Sequence, residues 1–322
     1  METEETPSQL NTSLWRMGGL SPKELAGRVW RTVYYGDFFT RTAALSYYFL
    51  LALFPLLLCM TAMLGSFAER GTELRRNLLS YLSRIVPGSA SALIYTTVDE
   101  ITKNADSTKI SFGLLAALWA ASYGMAAISE SLNVAYGVKE TRPWWKVRLA
   151  AIGLTLALAV LIIIALMLVL YGGVIGEKLA IKLGLGALFL ILWQLVQWPI
   201  ILIFAILAFA LIYYFSPDTE HQKWYWITPG SILGLALWLF VSYIFRLYLS
   251  YFNNYSVTYG SLGAVIILML WFYITGIAIL FGGELNAEIE NAAAEAGASG
   301  AKLKGESSPG EQESEPQIGP VP

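Results

Sequence analysis

Charged and amide side chains set within apolar runs are where this chain could do chemistry. Asp37, Arg41, Glu130 and Glu284 stand at the ends of three such runs, Asn133 follows Glu130 on the same run, and Arg246 lies inside another. A charge at the centre of a bilayer costs about 2.5–3.5 kcal/mol on insertion scales, so charges there are paired, displaced to the interface or functional. If the runs are spanning helices, Asp37, Arg41, Glu130 and Glu284 fall at one level. Two readings follow. In one, Arg41 pairs with Glu130 or Glu284 in a polar site ringed by Ser46, Tyr47, Ser122, Tyr123 and Asn133, a site able to take an anionic group. In the other, the same residues sit at the water interface and snorkel, their stems lying along apolar neighbours. Arg246 is ~29 Å along its run and so near the opposite face, where it would attract an anionic group or anchor the helix. The aromatic residues around it, Tyr243, Tyr248, Tyr251, Phe252, Tyr255 and Tyr259, read as an interfacial belt. Asp37, Arg41, Glu130, Asn133, Arg246 and Glu284 are therefore the candidate substrate-binding residues.

Other chemistry is poorly provided for. The chain has 1 His, His221, beside Asp218 and Glu220 in a short loop, so neither a two-histidine zinc site nor a triad drawing on several histidines can be assembled. It also lacks the GxxxxGK[ST] loop of a nucleotide motor. No catalytic set, metal site or cofactor is expected. Asp37, Glu130 and Glu284 offer carboxylates without a metal-binding histidine, which ranks an intramembrane enzyme last among the functional classes.

The elements that must position these residues are membrane helices. Of the 322 residues, 56% are hydrophobic and only 14% charged, with 11 Trp, too little polar surface for a soluble globule of this size. Six segments are long and apolar enough to span, at about 42–67, 110–132, 147–175, 186–215, 227–250 and 262–285. The last of them is the most informative, since it runs without a charge until Glu284 near its exit. About forty mostly polar residues precede the first run, so no cleavable signal is evident and that run serves as an uncleaved anchor. Arg16, Lys23, Arg28, Arg31 and Arg41, and then Lys139, Arg142, Lys146 and Arg148, make the N-terminal segment and the loop after the second span cytoplasmic. With an even number of spans, both termini are expected in the cytoplasm. The net charge of −2 gives no electrostatic footprint for nucleic acid.

Residues 68–109 read as an amphipathic helical hairpin outside the bundle: Leu74, Leu78, Leu82, Ile85 and Val86 recur at helical spacing, Pro87-Gly88 breaks the chain, and Ala90, Leu93, Ile94, Val98 and Ile101 resume the pattern. It is either a cap over an outward cavity, an interfacial element or a structural lid. The chain thus divides into a cytoplasmic N-terminal segment (1–41), a membrane domain (42–286) and a disordered cytoplasmic tail (287–322), the last rich in Ala, Gly, Glu, Ser and Pro. Within the spans, small residues crowd the second, from Gly113 to Ala127, and Gly172 with Gly176 and Gly230 with Gly234 form GxxxG pairs. Close helix packing is the ordinary explanation. Pro55 and Pro199 should kink the first and fourth spans, and Cys59, the single cysteine, is a small core residue.

Several blocks resemble the YihY/virulence factor BrkB family of bacterial inner-membrane proteins, formerly labelled ribonuclease BN. They are Asp37, Ala43-Ala44-Leu45-Ser46-Tyr47-Tyr48 and Leu53-Phe54-Pro55; Trp119, Ser122, Gly124, Leu132-Asn133, Tyr136, Glu140 and Arg142; Tyr214, Pro217, Trp226 and Pro229-Gly230; and Tyr259-Gly260-Ser261-Leu262-Gly263, Trp271, Tyr273 and Gly282-Gly283-Glu284-Leu285-Asn286. The resemblance covers almost the whole membrane portion. It implies a six-span, all-α bundle in the bacterial inner membrane and an association with envelope resistance or envelope lipids, and it supplies no catalytic residues. Many relatives are expected to carry a basic residue after Ser122, where this chain has Tyr123. The histidine-rich motif of the metal-dependent tRNA-processing enzyme that shares the older label is missing. The expected function is transport or flipping of an amphipathic anion or lipid, with a non-transporting envelope scaffold as the alternative. Membrane lipids are the expected partners, a homo-oligomer stays open, and nucleic acid is not expected.

Overall fold

The computed structural model describes residues 14–66, 107–184, 186–219, 227–251 and 261–296. A short 3-10 turn at Leu14–Gly19 leads into α1 (Pro22–Tyr35), α2 (Phe38–Ser66), α3 (Ser107–Tyr136), α4 (Trp144–Leu183), α5 (Ala187–Phe215), α6 (Pro229–Tyr251) and α7 (Ser261–Glu295). Among the described residues the fold is all-α. Four helices, α4 to α7, are long and apolar enough to cross a membrane, and the part of α2 at Phe38–Leu53 is a shorter apolar helix. The hairpin expected at 68–109 lies outside the described residues apart from Ser107 onward, which already belongs to α3. His221 and the residues from 297 onward also lie outside them.

Two expected boundaries move. The helix expected from residue 42 starts at Phe38, and the segment before it holds α1, a capped amphipathic helix. Ser21 accepts from the Glu24 backbone N–H while the Glu24 carboxylate accepts from the Ser21 N–H, with Pro22 at the first helical position, an arrangement that satisfies otherwise orphaned donors. Leu25, Val29 and Val33, one helical turn apart, bury the inner face of α1. At the other end, α7 continues through the expected boundary at 286/287 to Glu295. Ala287, Glu288, Ile289, Ala292 and Ala293 are buried there, so the described part of the expected tail is a packed helix. The run EIENAAAE is rich in strong helix formers, and docking α1 against it supplies the burial that a free tail would lack.

Neighbouring helices pack in chain order, α2 on α3, α3 on α4, α4 on α5, α5 on α6 and α6 on α7, and α7 returns to α2. The helices thus close a ring. α7 also touches α3, α1 and the 3-10 turn, which makes it the common partner. The core at the terminal end of the bundle gathers Phe38, Leu45, Ile128, Leu132, Ile212, Tyr213, Leu280 and Ile289.

Glycine sets two of the crossings. On α6 and α7, a Cβ on Gly230 would strike the Gly282 carbonyl oxygen, and one on Gly282 would strike the Gly230 carbonyl oxygen and the Tyr213 hydroxyl. Tyr213 stays in that crevice by donating to the Ile279 carbonyl at 2.9 Å. On α4, the strip expected from Gly172 and Gly176 receives side chains from α5: Trp193 Nε1–H donates to the Gly172 carbonyl at 2.6 Å, and Gln197 Nε2–H donates to the Leu168 carbonyl at 2.9 Å. Indole and amide therefore lie where β-carbons would otherwise be. α5 remains one helix through Pro199.

Candidate functional site

Arg41 stands in the first turn of α2 and reaches across the bundle. Its Nη2 lies 3.2 Å from Glu284 Oε1 on α7, and its Nη1 donates to the Ser131 carbonyl on α3 at 2.8 Å. The Arg41 side chain keeps 14% of its surface exposed while that of Glu284 keeps 0%. Burying two charges costs several kcal/mol per ion, an outlay that mutual attraction and further hydrogen bonds must offset. Arg41 Nε is buried with no hydrogen-bond partner, so the guanidinium has donor capacity beyond its present bonds. Helix order explains the meeting: Phe38, Thr42 and Leu45 turn inward as one face of α2, which puts Arg41 at the edge of that face, toward the α3–α7 side.

Of the two partners that the sequence offers Arg41, the structure selects Glu284. Glu130 is exposed, on a stripe of α3 that also carries Leu115, Trp119, Tyr123 and Val134, while Ser131, Leu132 and Asn133 face inward. Asp37 is exposed in the bend between α1 and α2, where its carbonyl accepts from the Arg41 backbone N–H at 2.9 Å. Asp37 and Glu130 therefore stand apart from the ion pair, and among the described residues no three His, Cys, Asp or Glu side chains gather to hold a metal. Arg246 is exposed on α6.

Asn133 belongs to a separate network that ties the α3–α4 loop to the end of α5. Its Oδ1 accepts from the Asp218 backbone N–H at 2.7 Å, and its Nδ2 donates to Glu140 at 2.9 Å. Glu140 holds Arg142 through both oxygens at 2.7 and 2.8 Å, and Arg142 Nη2 donates to the Ser216 carbonyl at 3.0 Å. Asp218 Oδ1 is 3.4 Å from Arg142 Nε, while Asp218 Oδ2 accepts from the Thr141 backbone and hydroxyl at 2.8 and 2.7 Å. Ser129 Oγ donates to the same Ser216 carbonyl. The hydrogen bond from Arg142 to Glu140 raises the pKa of the guanidinium above its ordinary value, against desolvation, with the Glu140 and Asp218 charges helping. This is a loop staple, and every member named has its partner within the protein.

The ring of residues expected around Arg41 divides in the same way. Ser46 is buried and donates to the Ala43 carbonyl of its own helix, and Tyr47 is about half exposed. Ser122 and Tyr123 instead face Arg148 of α4, whose Nη1 lies 3.1 Å from Ser122 Oγ and whose guanidinium carbon lies 3.6 Å from the Tyr123 ring centroid. Sequence reasoning counts Arg148 only among flanking charges. The available signal is its place one turn after Trp144, in a WWKVR string.

Comparison with known proteins adds the lineage. The family model described as "Virulence factor BrkB" matches residues 29–305. The protein YfkH of Bacillus subtilis (strain 168), which its name calls only ribonuclease-like, is 38% identical over 265 residues, covering 82% of this chain and 93% of that protein. A UPF0761 membrane protein of Tolumonas auensis is 26% identical over 279 residues, 85% of this chain and 88% of its own. Another, from Rhodospirillum centenum, is 29% identical over 252 residues, 78% of this chain and 54% of its own. No solved structure matches.

Proposed function

The chain belongs to the virulence factor BrkB family of membrane proteins, and we propose that it is a six-span bacterial inner-membrane protein that moves an amphipathic anion or an anionic lipid during envelope maintenance. Both termini are cytoplasmic in this reading, and membrane lipids are its partners. The observation that carries this reading is the Arg41–Glu284 pair, with Glu284 fully buried and Arg41 partly open. An anion reaching Arg41 competes with Glu284 for the guanidinium. Drawing the guanidinium away deprives the buried Glu284 of its cation at a cost, so the exchange favours a shift of α2 against α7. That couples ligand binding to a change in helix packing, as alternating access requires. No enzymatic activity is part of this reading.

A second reading is a non-transporting envelope scaffold. Its support is the docking of α1 on the end of α7, which presents a built surface at the terminal end of the bundle.

The test is lipid scrambling by the purified protein in liposomes that carry headgroup-labelled lipids, with Glu284→Gln and Arg41→Ala beside the wild type. Movement by the wild type that folded variants have lost supports transport through this pair. A wild type that moves none of a range of anionic and zwitterionic lipids overturns transport and leaves the scaffold.

A further inference from the structure

Arg28, Arg41 and Arg142 each meet a carboxylate. Arg148 differs. It is only 6% exposed, and no carboxylate among the described residues pairs with it. Its guanidinium carbon lies 3.6 Å from the ring centroid of Tyr123 and 4.5 Å from that of Trp119. The faces of those rings stabilise positive charge, but they offer nothing to the N–H donors that lie in the guanidinium plane. Of those donors, one on Nη1 reaches Ser122 Oγ at 3.1 Å, while Nε is buried with no acceptor. Ser122 in turn donates to the Trp119 carbonyl at 2.6 Å, which fixes its oxygen toward Arg148. A guanidinium has five donors and no acceptor capacity, so the unmet Nε donor of this aromatic cage suits an oxyanion.

We propose that Arg148, caged by Tyr123 and Trp119 and steadied by Ser122, is the cationic centre of a phosphate-binding site between α3 and α4. The planar fork of a guanidinium suits phosphate, giving two parallel charge-assisted bonds. The surroundings favour a phosphate carried on a lipid. Trp119 packs at 6.2 Å from Trp144, Trp144, Trp145 and Leu149 are exposed, and Lys146 lies over the Trp145 ring at 5.6 Å. Exposed tryptophans with a neighbouring lysine are the makeup of a headgroup-level belt, where the glycerol and upper acyl chain find apolar surface beside the phosphate. Ser122 stands nine positions before Ser131 on α3, or ~14 Å along the helix, so this site is distinct from the Arg41–Glu284 pair. It does not rest on transport, since a resident lipid would serve a scaffold equally.

The experiment uses the purified full chain in neutral detergent. Native mass spectrometry after adding back phosphatidylglycerol or phosphate-free diacylglycerol reads the lipid source, and tryptophan fluorescence titrated with inorganic phosphate reads the free anion. The expected result is retention of phosphatidylglycerol over diacylglycerol by about tenfold, lost in Arg148→Gln and partly kept in Arg148→Lys. A fluorescence response to inorganic phosphate, absent from Arg148→Gln, would assign the same pocket to the free anion. A wild type with neither preference nor response overturns the proposal without recourse to any variant. Unchanged retention in a folded Arg148→Gln overturns it as well.

Discussion

Arg28 and Glu295 close the two ends of the described chain on each other: Nη1 and Nη2 donate to Oε1 and Oε2 at 3.1 and 2.9 Å, across 267 positions of sequence. Beside them Thr32 Oγ1 donates to Glu288 Oε1 at 2.9 Å. The geometry is bidentate, yet both Arg28 and Glu295 keep substantial solvent contact, so solvent and salt screen the attraction. Arg28→Ala should cost about 0.2–1 kcal/mol, less at high salt. Thermal unfolding in detergent at low and high ionic strength measures this, and the swap of Arg28→Glu with Glu295→Arg should recover most of the loss.

The Arg41–Glu284 pair should behave differently because it is buried. Arg41→Ala leaves a fully buried carboxylate without its cation and should cost about 3–5 kcal/mol. Glu284→Gln, which keeps the shape and removes the charge, should cost less. The double variant should lose less than the sum of the two, as seen in apparent melting temperatures of the purified proteins.

Gly282→Ala should be among the most damaging small substitutions, since the added carbon meets the Gly230 carbonyl and the Tyr213 hydroxyl. Overpacking of this kind costs about 1–3 kcal/mol, and more where backbone cannot move. Gly173→Ala is the control, because a Cβ there meets nothing within 4 Å. The yield of monodisperse protein on gel filtration should fall for the first and not for the second.

Asn133→Ala should loosen the loop staple. It leaves the Asp218 backbone N–H without its acceptor, at a cost of about 1–3 kcal/mol where that group is shielded from water. Hydrogen exchange should quicken at Asp218 and Thr141 while the buried turns of α7 keep their protection.

Acid should fray α1 from its start. Hydrogen bonds from the Ser21 side chain and backbone lower the Glu24 pKa below its ordinary 4.5, so the folded state binds this proton less readily than the unfolded one. The contribution is present above the unfolded pKa of about 4.5 and is lost as pH falls through the lowered folded value. Amide exchange at the first turn of α1 should therefore rise, relative to intrinsic rates, between neutral pH and pH values below that range. Ser21→Ala should show the raised exchange at neutral pH already.

Hydropathy and length made the apolar helices legible, because a spanning helix is written in composition. The same signal could not choose between Glu130 and Glu284 for Arg41. Both lie near the ends of the spans expected from the sequence, and the choice depends on helical phase, which puts Glu130 on a stripe with Trp119, Tyr123 and Val134. Arg148 was hidden for a related reason: a basic residue just inside a span ordinarily marks orientation, and its burial depends on two rings from α3 that lie 25 and 29 positions earlier in the chain. The end of α7 reads in sequence as the start of a disordered tail, because its alanines and glutamates show no apolar stripe of their own and their burial comes from the apolar face of α1.

α7 touches α1, α2, α3 and α6, and of the described helices it is the last to be synthesised. The earlier helices can enter the bilayer one after another, yet the ring stays open until this strut arrives. Until then Arg41 waits without Glu284, and the Gly230 side of α6 has nothing against it. Among the described helices, assembly is therefore a late event in biosynthesis, governed by the arrival of α7. A chain stopped before Ser261 would present quality-control proteases with several unmet surfaces at once, so loss should be all-or-none rather than graded along the gene.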